Sequence, residues 1–332
     1  MGDDFINVAV VGVGAFGRNH ARIYHQLAQR GEAVRLVGVV DPDVARADAI
    51  AAEFGCRGFG SVEQLVTTHS EVQAASVAVP TVLHLETARA LMQAGVDVLV
   101  EKPLAPSLAE ADELVALAQS LNRVGQVGHL ERFNPAVRAT APLITQPMFF
   151  EVHRLSVFTP RSLDVDVILD LMIHDLDIVL WLVKSPVKEI RAVGLPILSG
   201  KADIANVRLE FESGCVANFT ASRVSTERVR KLRFFQPRQY VSLDYSRQEV
   251  LVFSVGESAG TPSVNPQIKV AKPAIVAEEP LQAELRSFLE AVRTRSKTLV
   301  SFEDGRRALA VALDIVAAMR EHGHKVQLEQ LR

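Results

Sequence analysis

Lys102 follows directly on the β-branched run Val96-Asp-Val-Leu-Val-Glu101, with Pro103 after it. In an open parallel α/β sheet, ligands bind beyond the carboxyl ends of the strands, so an amine there stands where chemistry is done. Pro103 disfavours helical backbone at Lys102 and holds it extended, and the Lys–Pro bond is a candidate for the cis form. A lysine buried beside a cationic ring has its ammonium form disfavoured. It can then exchange a proton with a substrate hydroxyl near neutral pH. A second candidate lies in Ile168-Leu-Asp170-Leu-Met-Ile-His174-Asp-Leu-Asp177. Asp170 and His174 share a helical face, and Asp177 lies a further turn on. The rest of this helix is apolar nearly all round, and polar groups on a buried helix are costly unless paired or turned to a wet pocket. Asp170 can orient the imidazole and favour its protonated form, leaving His174 to hydrogen-bond a reacting oxygen. An ordinary surface lysine and a satisfied structural Asp–His pair are the plain alternatives.

The segment Val8-Ala-Val-Val-Gly12-Val-Gly14-Ala-Phe-Gly17 places Gly-x-Gly-x-x-Gly between a strand and a helix. Gly12 permits the tight turn, Gly14 lets the backbone approach a pyrophosphate, and Gly17 lets helix and strand pack closely. Amides at the helix N-terminus face the phosphate charge. Asp41 ends the second strand at the spacing where an acid accepts hydrogen bonds from ribose hydroxyls and repels a 2′-phosphate. The expected cofactor is therefore NAD rather than NADP, with Arg46, on the following helix, as the one residue that argues the other way.

These groups need elements to hold them. Over the first ~130 residues short β-branched runs alternate with helical patterns, as in a parallel α/β sheet. Strands are expected at Val8–Val11, Arg35–Val40, Ala74–Val79, Val96–Val100 and Arg123–Val127, and helices at Phe16–Ala28, Val44–Phe54, Leu83–Gln93 and Leu108–Leu121. From Phe149 the texture changes to successive strands: Phe149–Phe158, Val187–Leu195, Ile204–Phe211, Val216–Ser222, Leu232–Phe235, Tyr240–Asp244 and Val250–Ser254. One apolar helix, Ile168–Val183, interrupts them, and helices near Leu281–Thr294 and Glu303–His322 follow a loop or strand edge marked by Pro262, Pro266 and Pro273. The expected architecture is an α/β Rossmann domain over residues 1–128, then an α+β domain over 129–332 with a large open, mostly antiparallel sheet. A C-terminal helix is a candidate to pack back on the first domain.

A length of 332 residues allows two such cores, and a net charge of -3 gives no reason to expect a nucleic acid or an anionic membrane as partner. The two cysteines, Cys56 and Cys215, suggest neither a disulfide framework nor a metal site, which fits a reducing cytoplasm. The start of the chain shows no basic flank or small-residue cleavage site of a secretory signal. Asp170, His174, Asp175 and Asp177 make the greasiest stretch too costly for lipid.

Gly12-x-Gly14-x-x-Gly17, Pro80-Thr81-x-x-His84, Glu101-Lys102-Pro103 and Asp170-x-x-x-His174-x-x-Asp177, in this order, resemble the motifs of the Gfo/Idh/MocA family of nicotinamide-dependent sugar oxidoreductases. The resemblance spans about half the chain. It implies an NAD site that also includes Ala15, Phe16, Pro80, Thr81, His84, Glu101 and Lys102, with Lys102, Asp170 and His174 as catalytic residues and oligomers built on the open sheet. Lys102 and His174 are then expected to converge beside the nicotinamide. Val127-Gly-His-Leu-Glu131-Arg132-Phe133-Asn134-Pro135 looks like the branch that oxidises C3 of nucleotide sugars. That likeness implies UDP-N-acetylglucosamine as substrate and a 3-keto product for a pyridoxal-phosphate aminotransferase in diamino-sugar lipid A synthesis. Many members carry a glycine-rich turn before the catalytic helix; here Asp164-Val-Asp-Val-Ile-Leu replaces it. A diphosphate needs fixed cations, and Arg132 (with Glu131 and Asn134), Arg154, Arg161, Arg223 and the run Arg228-Val-Arg230-Lys231-Leu-Arg233 are the candidates, Arg132 foremost. A free polyol or aldose dehydrogenase, and a non-catalytic NAD-sensing regulator, remain open beside this reading.

Overall fold

A computed structural model describes residues 5–160, 165–256 and 267–326. They divide into two units, one of residues 1–130 with 279–309 and the other of 131–278 with 310–332.

The first unit is built on six parallel strands: β1 (Ile6–Val11), β2 (Val34–Val40), β3 (Arg57–Phe59), β4 (Ala74–Val77), β5 (Asp97–Glu101) and β6 (Gly125–Gly128). Their order is β3-β2-β1-β4-β5-β6, the doubly wound order whose reversal point lies beside β1. Near-continuous apolar runs such as Val8-Ala-Val-Val suit strands covered on both faces. The helices are α1 (Ala15–Gln29), α2 (Val44–Phe54), α3 (Val62–Thr68), α4 (His84–Gln93) and α5 (Leu108–Ser120). Their starts are written in the sequence: the side chains of Asp43, Ser61 and Ser107 accept the amides of Arg46, Gln64 and Glu110. β3 and α3 were not expected, because a three-residue strand is too short to show a period.

Residues 279–309 belong to this unit as well. Helix α8 (Pro280–Thr294) packs Leu281, Leu285, Phe288, Leu289 and Val292 into the core formed by Val8, Val10, Ile23, Tyr24 and Leu27. Those five lie at helical spacing on one stripe, which has to be buried. Gly125 and Gly305 lie against Phe302 and Val127, tying the start of α9 (Phe302–Lys325) to β6.

The second unit holds an eight-stranded sheet: β7 (Phe149–Leu155), β8 (Val187–Leu195), β9 (Ile204–Phe211), β10 (Val216–Ser222), β11 (Val229–Gln236), β12 (Gln239–Asp244), β13 (Glu249–Val255) and β14 (Ile268–Ala271). The order is β14-β13-β12-β11-β7-β10-β9-β8, antiparallel throughout except for β7 with β10. One face is buried, with Phe150, Val152, Leu232, Phe234, Val241 and Leu243 at most 2% exposed. Helix α6 (Pro135–Thr140) packs on β12 and β13. The apolar helix begins with a π-helical turn, Ile168–Met172, that packs on β10 and continues as α7 (Ile173–Val183).

Candidate active site

The turn after β1 has the shape its glycines promised. Gly12 has φ +83°, and a Cβ on it would lie 2.6 Å from the Ala78 carbonyl oxygen. A Cβ on Gly17 would lie 1.8 Å from the oxygen of Gly12, so no other residue lets α1 start this close to β1. Gly14, by contrast, faces open space where a Cβ would project. Helix α1 begins at Ala15 with no side chain capping it, and Gly14, Ala15 and Phe16 are exposed. An open cradle at an uncapped helix N-terminus is the arrangement that takes a pyrophosphate. Asp41 is buried at the end of β2, where its carboxylate accepts the amides of Val13 and Asp43, each at 3.0 Å. Arg46 on α2 places Nη1 3.2 and 3.3 Å from the two Asp41 oxygens. The two residues that argue for opposite cofactors are thus partners.

Lys102 is half-buried immediately after β5, and the Lys102–Pro103 peptide is cis. Beneath it the Glu101 carboxylate meets His20 Nε2 at 3.1 Å, and His20 is completely buried on α1. Gly128 keeps that space open, since a Cβ there would lie 2.5 Å from Glu101 Oε1. His84 was expected to line the cofactor, but it is 1% exposed and all of its ring polarity points into protein. Nδ1 lies 3.1 and 3.2 Å from the carbonyls of Pro103 and Leu104, and Nε2 lies 3.0 Å from that of Val79. It therefore ties the loop after β4 to the loop carrying Lys102. Burial lowers the His84 pKa, against the pull of these carbonyls and of Glu101. Pro80 and Thr81 stand in the same loop, Pro80 exposed and Thr81 half-buried at the start of a 3-10 turn.

In the second unit Asp170 lies on the π turn and His174 on the first turn of α7. Both are half-buried while most of the helix around them is buried, so they keep access to solvent. Their charged neighbours do not. Arg132 is 1% exposed, with Nε 2.6 Å and Nη2 3.0 Å from the two oxygens of Asp177 and its guanidinium over the Trp181 ring. Arg154 is forked onto Asp175 at 2.6 and 2.9 Å and reaches Glu131 at 3.0 Å. Burial opposes the Arg154 charge, but Asp175 and Glu131 hold its pKa well above the ordinary value. Asn134 caps α6 through Ala136 N and donates to Glu131 and to the Tyr245 carbonyl.

Glu131, Arg132 and Asn134, expected at the substrate, thus form a buried polar core. Charges this deep persist only when paired, and each of these has its pair. Arg223 is likewise placed with Asp203, at 3.7 Å, and with the Val165 carbonyl. Asp203 is itself held by the amides of Ile197, Leu198 and Ser199, which outweigh burial and lower its pKa to about 2. Arg161 lies outside the described residues. Sequence reading missed His20, Asp175 and Glu284. His20 shares the helical stripe of Gly17, Ala21 and Tyr24, so its spacing marked it as buried but named no partner.

Two family models match the chain. One, described as the oxidoreductase family, NAD-binding Rossmann fold, covers residues 6–129, and the other, the GFO/IDH/MocA C-terminal domain, covers residues 123–238. The chain is 38% identical to UDP-N-acetylglucosamine 3-dehydrogenase of Acidithiobacillus ferrooxidans, over 95% of this chain and 97% of that one. The chain belongs to the Gfo/Idh/MocA family. A solved structure of the same enzyme from A. ferrooxidans superposes with a TM-score of 0.86 at 36% identity, covering 95% and 97% of the two chains. The scyllo-inositol 2-dehydrogenase of Bacillus subtilis is 27% identical over 66% of this chain and 68% of its own. Levoglucosan dehydrogenase in complex with NADH shares the fold, with a TM-score of 0.83 at 18% identity over 95% of this chain and 97% of that one. Membership makes this Gfo/Idh/MocA protein an NAD-dependent oxidoreductase acting on CH–OH groups. Its turn at Gly12, Gly14 and Gly17 and its Asp41 suit the cofactor. No group of three or more metal-ligating side chains and no helix fit to cross a membrane is found among the described residues.

Proposed function

We propose that this protein oxidises the C3 hydroxyl of a nucleotide sugar, UDP-N-acetylglucosamine, to the 3-keto sugar with NAD. The observation that carries this reading is that the relative named for this reaction aligns end to end. The inositol enzyme of B. subtilis aligns over only 66% of the chain. Oxidation removes a hydride from C3 and a proton from its hydroxyl, leaving a ketone. Bound NAD supplies the hydride acceptor. Lys102 receives the hydroxyl proton, and His174, with Asp170 on the same helix, hydrogen-bonds the reacting oxygen. A 3-keto sugar is the input that a pyridoxal-phosphate aminotransferase consumes, and we place the product in diamino-sugar lipid A synthesis. Free thiols at Cys56 and Cys215 suit the reducing cytoplasm.

The test is NADH absorbance while the purified protein meets UDP-sugars, free sugars and inositols in turn. Turnover is expected with UDP-N-acetylglucosamine. Turnover with inositol or glucose instead would replace this reading by a polyol or aldose dehydrogenase, and tight NAD binding without any turnover by a sensor. Lys102→Ala should cut turnover at least ~10²-fold and leave NAD binding largely intact. Near-normal turnover in that variant would remove Lys102 from the chemistry.

Asp41 should make the protein prefer NAD. Asp41→Ser releases Arg46 towards a 2′-phosphate and should shift the NAD:NADP affinity ratio at least ~10-fold towards NADP. An unchanged ratio would show that Asp41 does not set the choice.

A further inference from the structure

We propose that Arg230, with Arg228 beside it, forms the subsite that binds the diphosphate of the nucleotide sugar; the inference rests on the function proposed above. Arg132, Arg154 and Arg223 are committed to Asp177, to Asp175 with Glu131, and to Asp203. The cation run at the start of β11 divides by alternation. Leu232 and Phe234 are both 0% exposed, which puts Arg230 with them on the buried face of the sheet. Lys231 and Arg233 point to the other face, where Arg233 pairs with Glu151 at 3.1 Å.

Arg230 lies directly opposite Arg154 in the β7–β11 register. Like charges in that relation repel unless something compensates them. Arg154 takes both nearby carboxylates, and no carboxylate is paired with Arg230 among the described residues; its Nε is buried with no acceptor. Its backbone is pinned by Tyr245 N donating to its carbonyl at 3.0 Å. Burial, then the charge of Arg154, pulls the Arg230 pKa below the ordinary value, while Glu131 resists. A half-buried guanidinium without an acceptor is an unfavourable thing to hold in a folded chain, and a phosphate oxygen supplies what it lacks. Arg228, two residues earlier, is exposed, so the pair offers one half-buried and one accessible fork to two phosphates. Asp175, which grips Arg154, is the chain neighbour of His174. Arg230, Arg154, Asp175 and His174 thus all belong to one unit.

The experiment uses NAD-loaded protein, so that the Rossmann turn is already filled, and UDP as the probe in calorimetry. Arg230→Gln should weaken UDP binding at least ~10-fold, with Arg230→Lys recovering part of it. The KM for UDP-N-acetylglucosamine should rise by a similar factor, while kcat stays within about threefold and the KM for NAD is unchanged. Arg228→Gln, at an exposed position that cannot threaten folding, should weaken UDP binding about threefold or more, and Arg233→Gln on the opposite face should leave it unchanged. Wild-type protein that fails to bind UDP, or an Arg230→Gln variant that is folded and binds UDP normally, overturns the subsite. If UDP binds in an Arg230-dependent way but no nucleotide sugar is oxidised, the subsite stands and the proposed function falls. If UDP-N-acetylglucosamine is oxidised with equal KM by wild type and Arg230→Gln, only the subsite falls.

Discussion

Glu284 on α8 is completely buried, and neither of its carboxyl oxygens has a hydrogen-bond partner among the described residues. Burial first, and then the charge of Glu101, raises its pKa well above the ordinary value, so the group is held as the neutral acid. A folded-state pKa above the unfolded one means that the folded chain keeps a proton the unfolded chain gives up. Its contribution is therefore present in full below the ordinary glutamate range of ~4.3 and is lost as pH rises towards the folded pKa. Glu284→Gln, which fixes the neutral form, should raise the melting temperature at pH 8 and do so less at pH 5. Equal shifts at both pH values would show that Glu284 is not titrating in this way. His84 works in the opposite direction. Its pKa is lowered by burial, so its contribution is present in full above ~6.5 and is lost as pH falls towards the folded pKa, opposing the trend set by Glu284.

Among the elements, α8 shows how a distant segment completes a core. Its buried stripe of Leu281, Leu285, Phe288, Leu289 and Val292 fills the space beside α1 and β1. Phe288→Ala removes a fully buried ring and should cost about 3–5 kcal/mol, read as a shift of the urea midpoint. A cost under ~1 kcal/mol would mean that α8 does not belong to this core. The helix itself was legible, because five apolar residues at helical spacing need no partner to be recognised. Its packing back on the first domain was only one candidate placement, since spacing says that a face is buried but not against what. The π turn at Ile168–Met172 was equally invisible, because Ile-Leu-Asp-Leu-Met reads as an ordinary helix.

At the scale of the molecule, the uncovered face of the large sheet carries an apolar row that runs straight across its strands. Val216, Phe149, Phe235, Tyr240, Phe253 and Val270 are successive register partners from β10 to β14. The rings of Phe235 and Tyr240 stack at 4.8 Å and those of Tyr240 and Phe253 at 5.2 Å, while Phe235 is 37% and Val270 60% exposed. A contiguous apolar surface of this kind is characteristic of protein interfaces, and it fits the expectation, drawn from the family resemblance, of oligomers built on the open sheet. Phe235→Glu should move the protein to a smaller species in sedimentation and leave its circular dichroism unchanged. An unaltered sedimentation coefficient would place the assembly elsewhere.

Much of what this chain is was determined locally. The Gly12, Gly14 and Gly17 turn, Asp41 at the end of β2, Lys102 beyond β5 and Asp170 with His174 on one helix are short-range patterns. Each depends on residues within a few positions of one another, and the backbone they require follows from sterics and periodicity alone. The partners of the buried charges were decided only by the tertiary structure. Arg132 looked like the foremost phosphate ligand until Asp177, far along the chain, filled its fork, and Arg230 was one cation of a run until Arg154 and a buried sheet face stood beside it. Charge pairing acts between side chains brought together by folding, and no spacing along a chain specifies which carboxylate an arginine will meet.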